Sequence, residues 1–178
     1  MSQPRHTLVP IASGPPQERL EAGERREFLA FLLSGEQYAL PLAGVHEILK
    51  PPPITQVPRA PSDVLGIISV RGRITTVVDL RRRLLVPEST PNKHTRVLLV
   101  DDGKEIIGCV VDRVLQVHRL SADEMELAAV VAGDLAEYVM GIGRPRDGRS
   151  RASEGGAAQS VRDESIIILL DPGPLLKR

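Results

Sequence analysis

The sequence predicts an all-β protein made of two similar small β-barrels packed on each other. Valine, isoleucine and leucine cluster in short runs, which favours strands over helices. Turn residues separate neighbouring runs, and the order of runs in the first half returns in the second half. Hydrophobic residues make up 42% of the 178 residues, enough for a buried core. That core must be aliphatic, because the only aromatic residues are Phe28, Phe31, Tyr38 and Tyr138.

The first ordered segment is predicted at residues 28–42, as a β-hairpin. Two apolar runs flank Ser34-Gly35, a typical hairpin turn, and Pro41 ends the second strand. In residues 43–50, apolar residues at i, i+3 and i+4 predict a short helix or turn. The proline-dense residues 51–62 predict a rigid, extended connection.

Two further strand pairs follow. Residues 64–72 and 73–84 read as apolar strands that turn at Gly72. Residues 96–117 contain a third hairpin, with Asp102-Gly103 in its turn.

The last strands are predicted at residues 138–142 and 165–176. Between them, residues 143–164 are polar and rich in glycine, which predicts a disordered loop. Residues 1–26 carry four prolines and a charged stretch, which predicts a flexible N-terminal tail.

The two halves of the chain repeat the same order of elements. Residues 38–48 align with residues 107–117 at a shift of 69, and two later pairs of segments follow in the same order. Those pairs are VLGI (64–67) with VMGI (139–142), and VVDLRRRLL (77–85) with LLDPGPLLK (169–177). One short apolar match arises easily by chance, whereas the shared order indicates a repeat. We therefore predict half-repeats at about 27–86 and 95–177, with a groove at the seam between the two barrels.

Composition excludes several classes of function. The 23 basic and 23 acidic residues cancel, so the chain offers no overall field for nucleic acid or anionic membrane. The single Cys109 cannot form an internal disulfide, which favours a reducing compartment. No signal peptide and no membrane-spanning run are found in the sequence, so we expect a cytoplasmic protein.

Residue types that perform chemistry are present but scattered. The four histidines and one cysteine show no metal-ligand spacing, so no metal and no cofactor are expected. Cys109 stands in an apolar strand, where a thiol is inert packing with a raised pKa. Asp79 and Asp112 follow strands, where a carboxylate usually caps the next turn. An enzyme that uses Asp79, Asp112 or Cys109 is an alternative, but no nucleophile–base pair joins them.

A nucleic-acid-binding module is a second alternative. It would use the arginine run 81–83 and the arginines of the polar loop, which are Arg144, Arg146, Arg149 and Arg151. No aromatic residue lies beside them to stack on bases, and nearby acidic residues dilute the charge of the loop. A solvated surface is the interpretation we favour for these arginines.

Seven ordered blocks over about residues 27–177 resemble the CheW family of chemotaxis coupling proteins. The blocks are FLLSGEQYALP (31–41), VHEI (45–48), ITQVP (54–58), GIISVRG (66–72), TVVDLR (76–81), GCVVDRV (108–114) and IILLD (167–171). The resemblance implies two five-stranded SH3-like barrels packed around a shared apolar core, with short connecting helices. It also implies a non-catalytic scaffold that binds the cytoplasmic tip of a chemoreceptor and the regulatory domain of a CheA-type histidine kinase. Such a scaffold is cytoplasmic and is recruited to receptor arrays at the inner membrane.

The resemblance also implies an interface with the receptor and the kinase. Its residues are Val45, Glu47, Gly66, Arg71, Gly72 and Val117. An arginine on a tight turn keeps its charge out of the core and forks onto a partner's carboxylate, while an apolar receptor helix would lie in the seam groove. Val45, Gly66 and Val117 suit core or backbone positions in their own right, whereas Glu47 and Arg71 do not.

The chain departs from the family pattern at two of these blocks. The family's N-L-R-G reads Ser69-Val70-Arg71-Gly72 here, and Thr76 stands where the family favours proline. A specialised CheW-like adaptor of a non-flagellar chemosensory pathway is therefore a further alternative.

Overall fold

Eleven strands and two short helices build the part of the chain that the computed structural model describes, which is residues 24–101, 103–127, 137–145 and 166–177. The strands are β1 (Arg25–Leu33), β2 (Glu36–Pro41), β3 (Val45–Leu49), β4 (Val64–Val70), β5 (Arg73–Asp79), β6 (Arg96–Asp101), β7 (Ile106–Val111), β8 (Arg113–Ser121), β9 (Met125–Leu127), β10 (Val139–Gly143) and β11 (Ile167–Leu170). The helices are α1 (Leu80–Arg83) and α2 (Pro172–Leu176), and single 3₁₀ turns occupy Leu42–Gly44 and Ala122–Glu124.

The strands form two sheets that share one strand order. One sheet is β3-β6-β7-β5-β4, and the other is β8-β1-β2-β11-β10 with β9 added at its edge. In the sequence repeat, β2 corresponds to β7, β3 to β8, β4 to β10 and β5 to β11. Each sheet therefore combines the first hairpin of one half with later strands of the other half. The equivalent contacts β2–β11 and β7–β5 are both parallel, and the other neighbours are antiparallel.

The central hairpins are buried on both faces. Alternate residues of β1, such as Leu29 and Phe31, enter a core that both sheets share, while Phe28 and Ala30 enter a separate cluster of the six-stranded sheet. The strand β7 divides in the same way between the shared core and a cluster of the five-stranded sheet. Burial on both faces explains why these strands are continuous apolar runs instead of alternating ones. The predicted all-β fold with a shared aliphatic core is confirmed.

The segment 43–50 does not form the short helix that its spacing allows. A 3₁₀ turn at Leu42–Gly44 is followed by β3, which pairs antiparallel with β6. The apolar spacing fits one helix face, but so short a segment is equally compatible with an edge strand. Pairing with β6 gives the same residues backbone partners in a sheet, with a register shift between Val45 and Glu47.

The N-terminal boundary also differs from the prediction. β1 begins at Arg25, inside the predicted tail 1–26, because Arg25 and Arg26 pair with Ser121 and Leu120 of β8. Residues 1–23 lie outside the described residues. So do Asp102 of the third hairpin turn and residues 146–165, which make up most of the predicted loop.

Two aspartates at equivalent repeat positions begin the two helices. The Asp79 side chain accepts a hydrogen bond from the backbone N–H of Arg81, and Asp171 accepts one from Gly173. Both contacts satisfy a free N–H at the start of a helix. The expectation that the carboxylate after the strand caps the next turn is confirmed for Asp79.

Asp79 also belongs to a buried ion network centred on Arg81. The Arg81 side chain is only 3% exposed and binds both carboxylate oxygens of Asp79, at 2.8 and 2.7 Å. A third guanidinium contact reaches Asp112 at 2.9 Å. Asp112 accepts hydrogen bonds from the Ser89 hydroxyl and from the backbone N–H of Ser34 in the β1–β2 turn. The network therefore joins the two sheets. The hydrogen bond to Asp79 is also the main reason that the pKa of Arg81 is raised.

The arginine run 81–83 is only in part the solvated surface that the sequence suggests, because Arg82 is exposed whereas Arg81 is buried. Arg81 is buried, Arg82 pairs with Glu88, and Arg83 pairs with Asp63 and donates to the carbonyl of Leu175 in α2. The helix α1 points consecutive side chains in different directions, so one run of three cations serves three separate contacts.

Gly66 is required by the close approach of the proline-rich connection. The backbone of Thr55 forms a bridge with Ile67, and a Cβ atom on Gly66 would lie 2.2 Å from the carbonyl oxygen of Thr55. The φ angle of Gly66 is +147°, which other residues rarely adopt. The predicted extended connection is therefore held directly against β4.

Replacement of Arg81 by alanine is expected to lower the free energy of unfolding by about 3–5 kcal/mol, because it leaves Asp79 charged and buried without its partner. Arg82→Ala is the matched control. Its ion pair with Glu88 is exposed, so we expect a loss of about 1 kcal/mol or less. Urea unfolding measures both values, and equal losses would show that the network adds nothing.

Gly66→Ala is expected to lower the free energy of unfolding by more than about 3 kcal/mol, because Thr55 must move away from β4. Gly72→Ala is the control, since Gly72 also has a positive φ of +80° but has open space around it. The cost there should be about 1 kcal/mol from backbone strain alone. A comparable melting temperature for the two variants would contradict this account of Gly66.

Candidate protein-binding site

Arg71 and Gly72 form the tip of the β4–β5 hairpin. Val70 pairs with Arg73, which leaves a two-residue loop in which both residues have positive φ, +50° for Arg71 and +80° for Gly72. This pattern is that of a type I′ turn, whose twist matches the twist of the strands. The turn holds the Arg71 side chain outside the barrel, where it is 80% exposed.

Arg71 forms an ion pair with Glu47 across the edge of the five-stranded sheet. The Nη2 atom of Arg71 lies 3.0 Å from the Oε1 atom of Glu47, which stands on β3 and is 31% exposed. An exposed pair of this kind stabilises a protein by about 1 kcal/mol or less. A partner's carboxylate can therefore replace Glu47 beside Arg71, or a partner's amide N–H can replace Arg71 beside Glu47, at little cost to the stability of the fold.

The structure places five of the six predicted interface residues in or beside this sheet. Glu47, Arg71 and Gly72 meet at the hairpin tip. Val45, two residues before Glu47, is half-buried and packs on the shared core. Gly66 is buried beneath the proline-rich connection. Val117 lies on β8, in the other sheet, and is 42% exposed.

Ile74 is an exposed neighbour of the tip that the sequence analysis missed. It lies on β5 opposite Ser69 and is 68% exposed, whereas the next residue, Thr75, is buried. The alternation of the strand is the signal that could have found it. Ile74 stands at the outward position, where a polar residue is usual.

A surface groove lies where residues 41–43 lead from the six-stranded to the five-stranded sheet. Its volume is about 790 Å³. The lining residues are Arg25, Arg26, Glu27, Phe28, Pro41, Leu42, Ala43, Arg119 and Met140. The lining therefore mixes apolar side chains with three arginines and one glutamate, and Val117 is not part of it.

The residues weighed as catalytic are used inside the fold. Asp79 and Asp112 are held by Arg81, and Cys109 is fully buried in the shared core. Burial raises the pKa of the Cys109 thiol to about 12. Within the described ranges, no cluster of three histidine, cysteine or acidic side chains is placed to hold a metal ion. None of the helices described there is long and apolar enough to span a membrane.

The described structure thus combines two β-sheets around a shared core with an exposed ion pair at the tip of a tight turn. Residues 27–178 match the family model described as the CheW-like domain. The chain belongs to this family.

Individual relatives agree with this assignment. The chain is 30% identical to "Chemotaxis protein CheW" of Helicobacter pylori over 74% of this chain and 84% of that protein. It is 33% identical to the protein of the same description from Klebsiella aerogenes, over 68% of this chain and 75% of the relative. The crystal structure of the scaffolding protein TtCheW from Thermoanaerobacter tengcongensis superposes with a TM-score of 0.69 at 26% identity. That match covers 83% of this chain and 89% of TtCheW. The SH3-like barrels implied by the sequence resemblance are the fold of this chain.

Cys109 is expected to be unreactive in the folded protein. A thiol with a pKa of about 12 holds almost no thiolate near neutral pH, and its burial blocks access. An aromatic disulfide reagent should label the protein only after urea unfolds it, and raising the pH to about 9 should change this little, because the pKa lies well above that value. Rapid labelling of the folded protein at neutral pH would show that Cys109 is accessible and not inert packing.

Proposed function

We propose that this protein is a chemosensory adaptor that couples a chemoreceptor to a CheA-type histidine kinase. It performs this role without catalysing a reaction. It would bind the cytoplasmic tip of the receptor and the regulatory domain of the kinase, in the cytoplasm, at receptor arrays on the inner membrane. Membership of the CheW-like family supports the coupling role. The observation that carries the proposal is the Arg71–Glu47 pair on the rigid β4–β5 tip.

The geometry of the tip suits recognition of another protein. The type I′ turn fixes the position of the Arg71 backbone, so few conformations of the tip are lost on binding. The guanidinium presents a planar fork that matches carboxylates and the carbonyls at a helix end. When a partner takes one side of the Arg71–Glu47 pair, the other member is left for a second contact.

The other predicted interface residues are assigned by their positions. Val45 and Glu47 share β3, so a partner that contacts Glu47 also covers the exposed edge of this strand. Gly72 permits the turn, and Gly66 allows the proline-rich connection to lie directly against β4. Val117 offers an exposed apolar contact on the other sheet.

A nucleic-acid-binding role has little support from the described arginines. Arg81 is buried, and Arg82 and Arg83 are held by Glu88 and Asp63. Arg144 lies near Glu126, at 3.5 Å, and Arg146, Arg149 and Arg151 lie outside the described residues. A specialised adaptor of a non-flagellar pathway would use the same tip with a different receptor.

Arg71→Ala is expected to weaken binding of a receptor-tip helical hairpin at least tenfold, about 1.4 kcal/mol, because it removes the forked donor. The melting temperature should stay nearly unchanged, since the ion pair with Glu47 is exposed. Calorimetric titration with the receptor tip and with the kinase regulatory domain, and receptor-coupled autophosphorylation, measure the effect. Arg73→Ala is the control, because Arg73 is an exposed arginine at the start of β5. This variant should bind as the unmodified chain does.

A charge swap separates binding from a structural role. The double variant Glu47→Arg, Arg71→Glu keeps an ion pair at the tip but reverses the charges that a partner meets. We expect a folded protein that fails to couple. Restored coupling in the swap, or normal binding by Arg71→Ala, would contradict the proposed function of the tip.

A further inference from the structure

A cluster of basic side chains lies where the strands β6 and β8 begin. Its members are Lys93 and His94 of the turn before β6, Arg96 on β6 and Arg113 on β8. The Nδ1 atom of His94 lies 3.5 Å from the Nη2 atom of Arg113. None of the ion pairs between described residues includes Lys93, Arg96 or Arg113. The cluster therefore gathers positive charge that is not used in an ion pair of the described chain.

Hydrogen bonds fix the turn that carries two of these side chains. The backbone N–H of His94 donates to the side-chain oxygen of Asn92 at 2.8 Å, and the backbone N–H of Asn92 donates to the Thr95 hydroxyl at 2.8 Å. Arg96 supports the same turn, because its Nη1 atom donates to the carbonyls of Lys93 and Thr95 at 2.9 and 2.7 Å. The cluster is therefore ordered in advance, which reduces the entropy lost when a ligand binds.

His94 senses the charge of its neighbours. Its pKa is lowered by desolvation first and then by the positive charges of Arg113, Lys93 and Arg96. Asp112 is next to Arg113 in sequence, but its carboxylate is already bound within the buried ion network. An anion beside the imidazole would oppose the three cations and raise this pKa.

The repeat shows that the fold does not require this concentration of charge. The shift of 69 that relates β2 to β7 also relates β1 to β6, and it aligns Arg96 with Glu27. Glu27 lies opposite Arg119 and forms an ion pair with it at 2.7 Å. The equivalent of Arg119 is the exposed Lys50, and the register of β3 on β6 places it opposite Arg96. One half therefore joins opposite charges at positions where the other half sets like charges together, which is destabilising.

We propose that this cluster binds a phosphate group in its dianionic form, carried by a small molecule or by a phosphorylated side chain. Arg113 offers a planar fork of donors, and Lys93 offers a mobile point charge. Two negative charges offset the repulsion within the cluster better than the single charge of a carboxylate. This inference does not depend on the proposed coupling function.

A single phosphate suits the cluster better than a nucleic-acid strand does. Three of the four aromatic side chains are buried and the fourth is half-buried, so bases find no platform on which to stack. The formal net charge of zero also leaves no extended basic surface to follow a strand. The ligand that fits is therefore compact and locally anionic.

Titration of the full chain with sulfate and with inorganic phosphate, at constant ionic strength, tests the proposal. NMR of the His94 ring should show that both anions raise its pKa. His46, which lies 3.4 Å from Asp101, is the internal control, and its pKa should not move. Sulfate keeps both charges as the pH falls, so its binding should tighten from about pH 8 to about pH 5.5 as the imidazole gains a proton.

Arg113→Gln should weaken sulfate and phosphate binding at least tenfold. Without anion, its melting temperature should stay the same or rise, because a like charge has been removed from the cluster. Arg73→Gln is the matched control, since it removes an exposed arginine outside the cluster and should bind as the unmodified chain does. Phosphate should raise the melting temperature of the control but not that of Arg113→Gln.

A phosphoserine peptide and its unphosphorylated form distinguish the two sources of phosphate. Tighter binding of the phosphopeptide than of free phosphate would assign the site to a phosphorylated protein, and equal binding would assign it to a small molecule. An unchanged pKa of His94 at millimolar phosphate or equal losses in the two arginine variants would overturn the proposal. So would mixed-sequence RNA that binds more tightly than any of the phosphate probes.

Discussion

Burial of the central hairpins on both faces is the constraint on which the rest of this structure depends. The strands β1, β2, β6 and β7 carry apolar side chains on alternate sides, and each side needs cover. A single sheet with one wet face cannot provide it. One face of each hairpin packs in the apolar cluster of its own sheet, and the other face packs in the core that the two sheets share. The exchange of hairpins between the two halves follows from this demand, because each hairpin then contributes to both sides of the shared core.

This arrangement commits the interior side chains to packing and to buried ion pairs. Cys109 is buried in the shared core. Arg81 forms ion pairs with Asp79 and Asp112 that connect the two sheets. Exposed charge and exposed apolar surface appear instead on turns, as at Arg71 and Leu85. These positions tolerate change because the core does not depend on them.

Much of the fold follows from short-range patterns. The Ser34-Gly35 and Arg71-Gly72 turns occur where the sequence predicted them, with the positive φ angles that two-residue hairpins need. The repeat was visible as an ordered set of matches and returns as one strand order in both sheets. Residues 43–50 were predicted as a short helix or turn; a 3₁₀ turn forms at Leu42–Gly44 and a strand follows it, since the apolar spacing is compatible with a helix and with a short edge strand. Only the neighbouring β6 decides between the two.

The resemblance to the CheW family selected Glu47 and Arg71 as interface positions, and their residue types agree with a surface location, because neither suits a core. Their pairing could not be read from the chain, since 24 residues and the closure of a sheet edge separate them. The fate of the arginine run 81–83 was equally hidden, because three adjacent cations look solvated until a helix turns each one toward a different partner. The sequence by itself determined where strands and turns form, since those depend on alternation and on the φ angles that glycine and proline allow. The tertiary structure decided which strands became neighbours and which charges were buried, because both depend on contacts between segments far apart in the chain.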